Sequence, residues 1–194
     1  MSAPRQMYTD AACHELLLRL AGRLPDDLLW RMRDWLADGG REVLGATLPR
    51  ELLRHRVGLT DAERDLLETA VGSAHPLLDA VLPASAPPQP SVSFQAGDGV
   101  VDTAALAVIA VVRGHSGCVE LRQCRRDAQR VVLVLGAERP WELAGTLQRV
   151  LRAHGDRTPC VEVLPPHGER SPYHQAAIIG SRPLWRSATA LVGA

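Results

Sequence analysis

Pro83-Ala84-Ser85-Ala86-Pro87-Pro88-Gln89-Pro90-Ser91 divides this chain. Proline fixes φ and lacks a backbone donor, so four prolines in nine residues can join neither a helix nor a central strand. The stretch reads as an extended, semi-stiff linker. On its N-terminal side apolar residues recur with a helical period, and on its C-terminal side strand-like and helix-like stretches alternate. The organisation expected is a helical bundle over 1–82, a linker over 83–91, and an α/β domain with a C-terminal tail over 92–194. Each of the two domains has enough residues for a small core of its own.

Upstream of the linker, Thr9 and Asp10 are placed to cap a helix from Ala11 to Gly22 with Leu16, Leu17 and Leu20 on one stripe. Pro25-Asp26-Asp27 opens a second helix, with proline in the first turn and carboxylates at the positive helix end. Gly39-Gly40 ends it. A third helical stretch, Arg41 to His55, contains Pro49, which predicts a break there. Thr60-Asp61-Ala62-Glu63 is a capping-box pattern opening a fourth helix through Ala70. A short piece over Pro76 to Leu82 closes the expected bundle.

Downstream, Val92 to Ala96 alternates as a short strand, and Asp102 caps an apolar helix reaching Val112. Cys118 to Cys124 alternates, Arg125 to Gln129 is a polar turn, and Val131 to Leu135 is a continuous apolar strand. Pro140-Trp141-Glu142 starts an amphipathic helix, and Cys160 to Leu164 is a last strand. The order β-α-β-β-α-β predicts a ferredoxin-like antiparallel sheet with both helices on one face and the other face open. The overall class is α+β. Ser171 to Ile179 adds a proline-started tail helix.

Gly117-Cys118-Val119-Glu120-Leu121, Val131-Val132-Leu133-Val134-Leu135-Gly136 and Val161-Glu162-Val163-Leu164 resemble the C-terminal domain of the SseB, or enhanced serine sensitivity, proteins. The likeness covers about a third of the chain and is mostly hydrophobic spacing. It implies a non-enzymatic accessory protein.

Composition narrows the function classes. All 22 basic residues are arginine, and lysine and asparagine are absent, which reads as a GC-rich, actinobacterial-type genome. Acids balance bases at 22 each, so no bulk field draws the chain to nucleic acid or membrane. Cys13, Cys118, Cys124 and Cys160 form no close pair, and Met1 to Asp10 is too polar for a secretory leader. A cytoplasmic protein with reduced thiols is expected.

No motif for catalysis, phosphate binding or metal ligation is complete, so no catalytic residue, metal or cofactor is assigned. Two clusters stand out as partner-binding candidates. Arg122, Arg125, Arg126 and Arg130 crowd one hairpin, where guanidinium groups could grip an anion. Tyr173, His174, Trp185 and Arg186 lie in the tail and are residue types common at binding hot spots. The function expected is a non-catalytic interaction or accessory module, using the open sheet face or the tail, with a protein partner or a second copy of the chain. One alternative is an enzyme, or a catalytic accessory, with its site at the inter-domain cleft, using His167, His174 or Cys160. The other is anion or nucleic-acid binding by the basic hairpin. The missing aromatic residues on the central strands argue against RNA.

Overall fold

A computed structural model describes residues 3–72, 74–89, 91–97 and 100–188, with side chains from residue 9 onward. The chain forms two compact units, Met1–Pro88 and Gln89–Ala194. Among the described residues it is an α+β protein with seven α-helices and one four-stranded mixed sheet.

The first unit holds α1 (Ala3–Arg19), α2 (Asp26–Ala37), α3 (Arg41–Arg54) and α4 (Asp61–Val71), followed by a 3-10 turn at Leu78–Ala80. Leu16, Leu17, Leu20, Leu44, Leu48, Leu52 and Leu67 are fully buried, which makes the helical-period stripes the core. Two local expectations need correction. Thr9 and Asp10 lie inside α1, and Asp10 pairs with Arg41 at 3.3 Å instead of capping. Pro49 sits inside an unbroken α3. Leu44, Leu48 and Leu52 hold that helix to its neighbours, and Gly45, four residues before the proline, lets the backbone yield where the ring crowds it.

The capping box forms as expected. Glu63 N–H donates to Thr60 Oγ1 at 3.3 Å, and Thr60 N–H donates to Glu63 Oε2 at 2.9 Å. The remaining carboxylate oxygen of Glu63 is buried and takes Arg23 at 2.6 Å. Arg64 donates to the carbonyls of Leu78 and Val81, both at 2.8 Å, and Leu59 pairs with Pro83. Pro83 and Ala84 therefore belong to the helical unit by hydrogen bonding.

The second unit runs α5 (Thr103–Arg113), β1 (Glu120–Arg126), β2 (Gln129–Leu135), α6 (Pro140–Ala153), β3 (Cys160–Leu164), α7 (Pro172–Ile179) and β4 (Arg182–Arg186). Its strand order is β3-β2-β1-β4. The β1 strand is antiparallel to both β2 and β4, whereas β2 and β3 are parallel across the α6 crossover. This differs from the ferredoxin-like order expected. The stretch 92–96 contributes a single bridge, Gln95 to Arg125, and the fourth strand comes from the tail. Without a strand at 92–96 to insert, β3 returns directly beside β2. Pro183 is tolerated in β4 because that strand lies at the sheet edge.

The pleat sorts the sheet side chains into two sets. Leu121, Val132, Val134, Val161 and Val163 face α5 and α6, joining Val108, Val112, Leu143, Leu147 and Leu151 in one apolar core. The second face carries Arg122, Cys124, Arg126, Cys160 and Glu162 beside Val131, Leu133 and Leu164, by the registers of the three pairings. It is not open. α7 lies over it, burying Tyr173, His174 and Ala177.

Candidate functional site

The β1–β2 turn is tighter than the sequence suggests. β1 runs to Arg126 and β2 begins at Gln129, leaving Asp127 and Ala128 to turn the chain, with Asp127 at φ 53°. Arginines expected on a solvated loop therefore sit on paired strands, where alternate residues face opposite ways. The four separate two and two.

Arg122 and Arg126 turn toward α7. Arg122 donates from Nε to Ser181 Oγ at 2.7 Å, from Nη2 to the Ser181 carbonyl at 3.0 Å, and from Nη1 to Glu120 at 2.7 Å. Arg126 donates to the Tyr173 hydroxyl at 2.9 Å and lies 5.8 Å from that ring's centre. Arg125 and Arg130 stay at the hairpin end. They line a cavity of about 280 Å³ with Asp102, Gln129, His154 and Asp156. Arg130 is committed to Asp102, whose carboxyl is held below its ordinary value chiefly by that hydrogen bond. Asp102 also caps α5, accepting from Ala105 N–H at 2.8 Å. Two carboxylates balance the cations around this cavity, so it offers no net positive field to an anion.

The tail residues also separate. Tyr173 and His174 are buried under α7, with Tyr173 edge-on to Phe94 at 5.1 Å between ring centres. Trp185 pairs across from Leu121 and packs against the apolar core. Arg186 reaches Glu120 at 2.9 Å. The residues singled out in the tail are thus engaged with their own unit. His167 is exposed in the loop before α7.

What the structure assembles is a buried polar relay centred on Glu162. That residue is fully enclosed, and His174 is 2 % exposed. His174 Nε2 lies 3.1 Å from Glu162 Oε2, and Cys160 donates its S–H to Glu162 Oε1 at 3.6 Å. Ser171 Oγ lies 2.9 Å from His174 Nδ1, and the Tyr173 hydroxyl is 3.8 Å from Cys160 Sγ. One assignment of hydrogens satisfies every link. Arg126 donates to Tyr173, Tyr173 to Cys160, and Cys160 to one oxygen of an ionised Glu162. From the other side Ser171 donates to His174, and His174 to the second oxygen.

Sequence reasoning missed Glu162 and Ser171. The signal was a lone carboxylate inside the apolar strand Val161-Glu162-Val163-Leu164, since a buried charge requires partners.

Enclosure limits the chemistry open both to this set and to the chain's other thiols. Burial pushes the Cys13 and Cys124 thiols up to about 12 and the Cys118 thiol up to about 11. These three remain protonated near neutral pH, whereas nucleophilic attack needs the thiolate. Burial also raises the Tyr173 hydroxyl. The Ser171–His174–Glu162 alignment has the connectivity of a nucleophile, base and orienting acid. Its acid and base are sealed between α7 and the sheet, and Ser171 Oγ accepts from His174 N–H as the cap of α7. Among the described residues, no group of three or more His, Cys, Asp or Glu side chains is arranged to hold a metal ion, and no helix is long and apolar enough to cross a membrane.

Among the described residues Ile179 on α7 is the most exposed large apolar side chain, and three others fall close together in sequence at and before α5. α5 carries no polar residue between Thr103 and Arg113, yet only Ala104, Ala105, Val108 and Val112 are buried in it. Leu106 is 57 % exposed, and the preceding Val100 and Val101 are 64 % and 45 % exposed. Comparison of the chain with protein-family models, with curated proteins and with solved structures finds no match in any of the three.

Proposed function

We propose that this protein is a non-catalytic interaction module that pairs with a second copy of itself through the outer face of α5. The observation carrying this reading is the exposure of Val100, Val101 and Leu106 on and before a helix that is apolar all round. A helix of that composition normally has both faces covered, and a contiguous exposed apolar patch marks a contact surface.

Charge favours a second copy as the occupant. Asp102 stands at the N-terminal end of α5 and Arg113 in its last turn. Antiparallel pairing about a twofold axis brings Arg113 of one copy to Asp102 of the other at both ends and opposes the two helix dipoles. The chain's net charge of zero adds no repulsion between copies. Asp102 keeps Arg130 as its partner on its own chain, and nearly half of its side chain still meets solvent.

Light scattering on the purified chain tests this. A dimer has twice the chain mass of 21.0 kDa, and Leu106→Glu returns it to monomer because it sets two carboxylates against each other at the twofold axis. A wild-type chain that stays monomeric up to roughly 100 μM, well above the micromolar range typical of weak specific pairs, overturns the reading.

A further inference from the structure

α7 is entered through Ser171-Pro172-Tyr173-His174, and its first turn brings the first and last of these side chains together. Proline at the first helical position pre-sets the backbone, so Ser171 is fixed as the cap and His174 three residues on. Ser171 Oγ and His174 Nδ1 are 2.9 Å apart, and His174 Nε2 is 3.1 Å from Glu162 Oε2. A base within hydrogen-bond reach of a hydroxyl, itself oriented by a third group, is the arrangement that activates a serine. The ring presents Nδ1 to the hydroxyl where serine hydrolases more often present Nε2, and either nitrogen accepts a proton. The set also holds together in both charge states that proton transfer requires. Neutral His174 with its hydrogen on Nε2 donates to Glu162 and accepts from the Ser171 hydroxyl. Protonated His174 keeps the bond to Glu162 and reverses the other, donating from Nδ1 to Ser171 Oγ. The ring therefore gains a proton without any of the three side chains losing its partner. Access divides as the chemistry needs: Glu162 and His174 are buried, whereas Ser171 is partly exposed and follows the exposed loop 165–169.

We propose that Ser171 is an acyl-accepting site that takes one short acyl group from an activated ester. Ser171 Oγ bonds to the carbonyl carbon of the ester while its proton passes to His174 Nδ1. The ester C–O bond then breaks, and the departing oxygen takes that proton from His174. The products are an acylated Ser171 and a free alcohol, with His174 neutral again. Glu162 touches neither reactant and acts as a positioning residue that holds the ring. First-turn amides have no acceptor within their own helix, and Pro172 leaves Tyr173 N–H as the first that α7 offers. The positive end of the helix thus favours the negative charge that grows on the carbonyl oxygen. One acyl group per chain is added and no turnover is required. The site is separate from pairing through α5, which uses the opposite face of the sheet.

Exposure of the full chain to p-nitrophenyl acetate, with the acetylated peptide located by mass spectrometry, reads the site directly. The chain contains no lysine to compete for the reagent. Ser171 in the folded chain should acetylate at least about 100-fold faster than the same serine in urea, the low end of what a positioned base contributes. Ser171→Asn keeps a capping oxygen, so it should melt close to wild type and take no acetyl group in this peptide. His174→Gln retains a polar side chain but no base, and the rate should fall by about 100-fold. Glu162→Gln leaves an acceptor for the ring but no charge, so the maximal rate should drop by about tenfold or more while the half-saturating reagent concentration holds. Both core variants are checked for folding by circular dichroism, and the ratio of folded to unfolded rates in wild type decides even where a variant fails to fold. Wild-type Ser171 that acetylates no faster folded than unfolded would overturn the proposal. So would a folded His174→Gln variant that keeps the wild-type rate.

Discussion

The two faces of the sheet in the second unit are built by different rules. On the α5–α6 face, valine and leucine from three strands meet leucine and valine from two helices, and burial of apolar area suffices. On the α7 face, the same strands present Arg122, Arg126 and Glu162, and a helix of eight residues covers them by completing their hydrogen bonds. The first face tolerates approximate partners. The second tolerates only residues that leave each donor an acceptor, because an enclosed polar atom without one is costly.

That contrast is open to direct attack. The largest loss is expected on the apolar face, where Leu147→Ala removes fully buried methyl groups and leaves a cavity. Urea unfolding should show a loss of about 2–5 kcal/mol. On the other face Tyr173→Phe keeps the ring against Phe94 and deletes only the hydroxyl between Arg126 and Cys160. A loss of about 1–3 kcal/mol is expected despite nearly unchanged shape. A Tyr173→Phe variant as stable as wild type would mean that the α7 face, too, is held by apolar contact alone.

Gly180 sharpens the comparison because at the end of α7 it matters for the space it leaves and not for a polar side chain. A methyl group there would sit 2.6 Å from both the Cβ and the carbonyl oxygen of Phe94. Gly180→Ala should therefore force Phe94 away from Tyr173 and destabilise by roughly 1–3 kcal/mol. Near-ultraviolet circular dichroism, which reports aromatic packing, should change with it.

How much of this was legible depends on where the information lies. The capping box at Thr60 and Glu63 and the cap at Asp102 are local, set by residues three apart, and both form as read. The strands over Val131 to Leu135 and Cys160 to Leu164 are near-continuous apolar runs, and these too are visible without the fold. Strand order is different, since whether 92–96 or 182–186 supplies the fourth strand is decided by tertiary contacts. Trp185 opposite Leu121 gives the tail an apolar cross-strand pair, while Gln95 faces only Arg125. The arginine cluster shows the same limit. Its members look alike in sequence, and only the two-residue turn at Asp127 and Ala128 reveals that Arg122 and Arg126 belong under α7. The glutamate that satisfies this layer lies 36 residues beyond Arg126 in the chain, beyond the reach of any local pattern.

The smallest effect expected concerns Asp102, which joins Arg130 at the hairpin end to α5. Its carboxyl titrates below its ordinary value of 3.8 because Arg130 and the Ala105 amide hold the ionised form. A depressed carboxyl stabilises the fold above its unfolded-state value and loses that contribution as pH falls through the lower folded value. Asp102→Asn retains a capping oxygen and removes only the charge, so near pH 7 it should cost about 0.5 kcal/mol or less for an exposed pair. The difference from wild type should shrink as pH falls below the ordinary value of 3.8 and vanish once the folded carboxyl is protonated as well. Asp102→Ala loses the cap as well, and its deficit of about 1 kcal/mol should persist in part into acid, because an uncharged oxygen still accepts from Ala105. An Asp102→Asn stability curve that runs parallel to wild type through the acid range would show that the cap, and not the Arg130 pair, is all that Asp102 contributes.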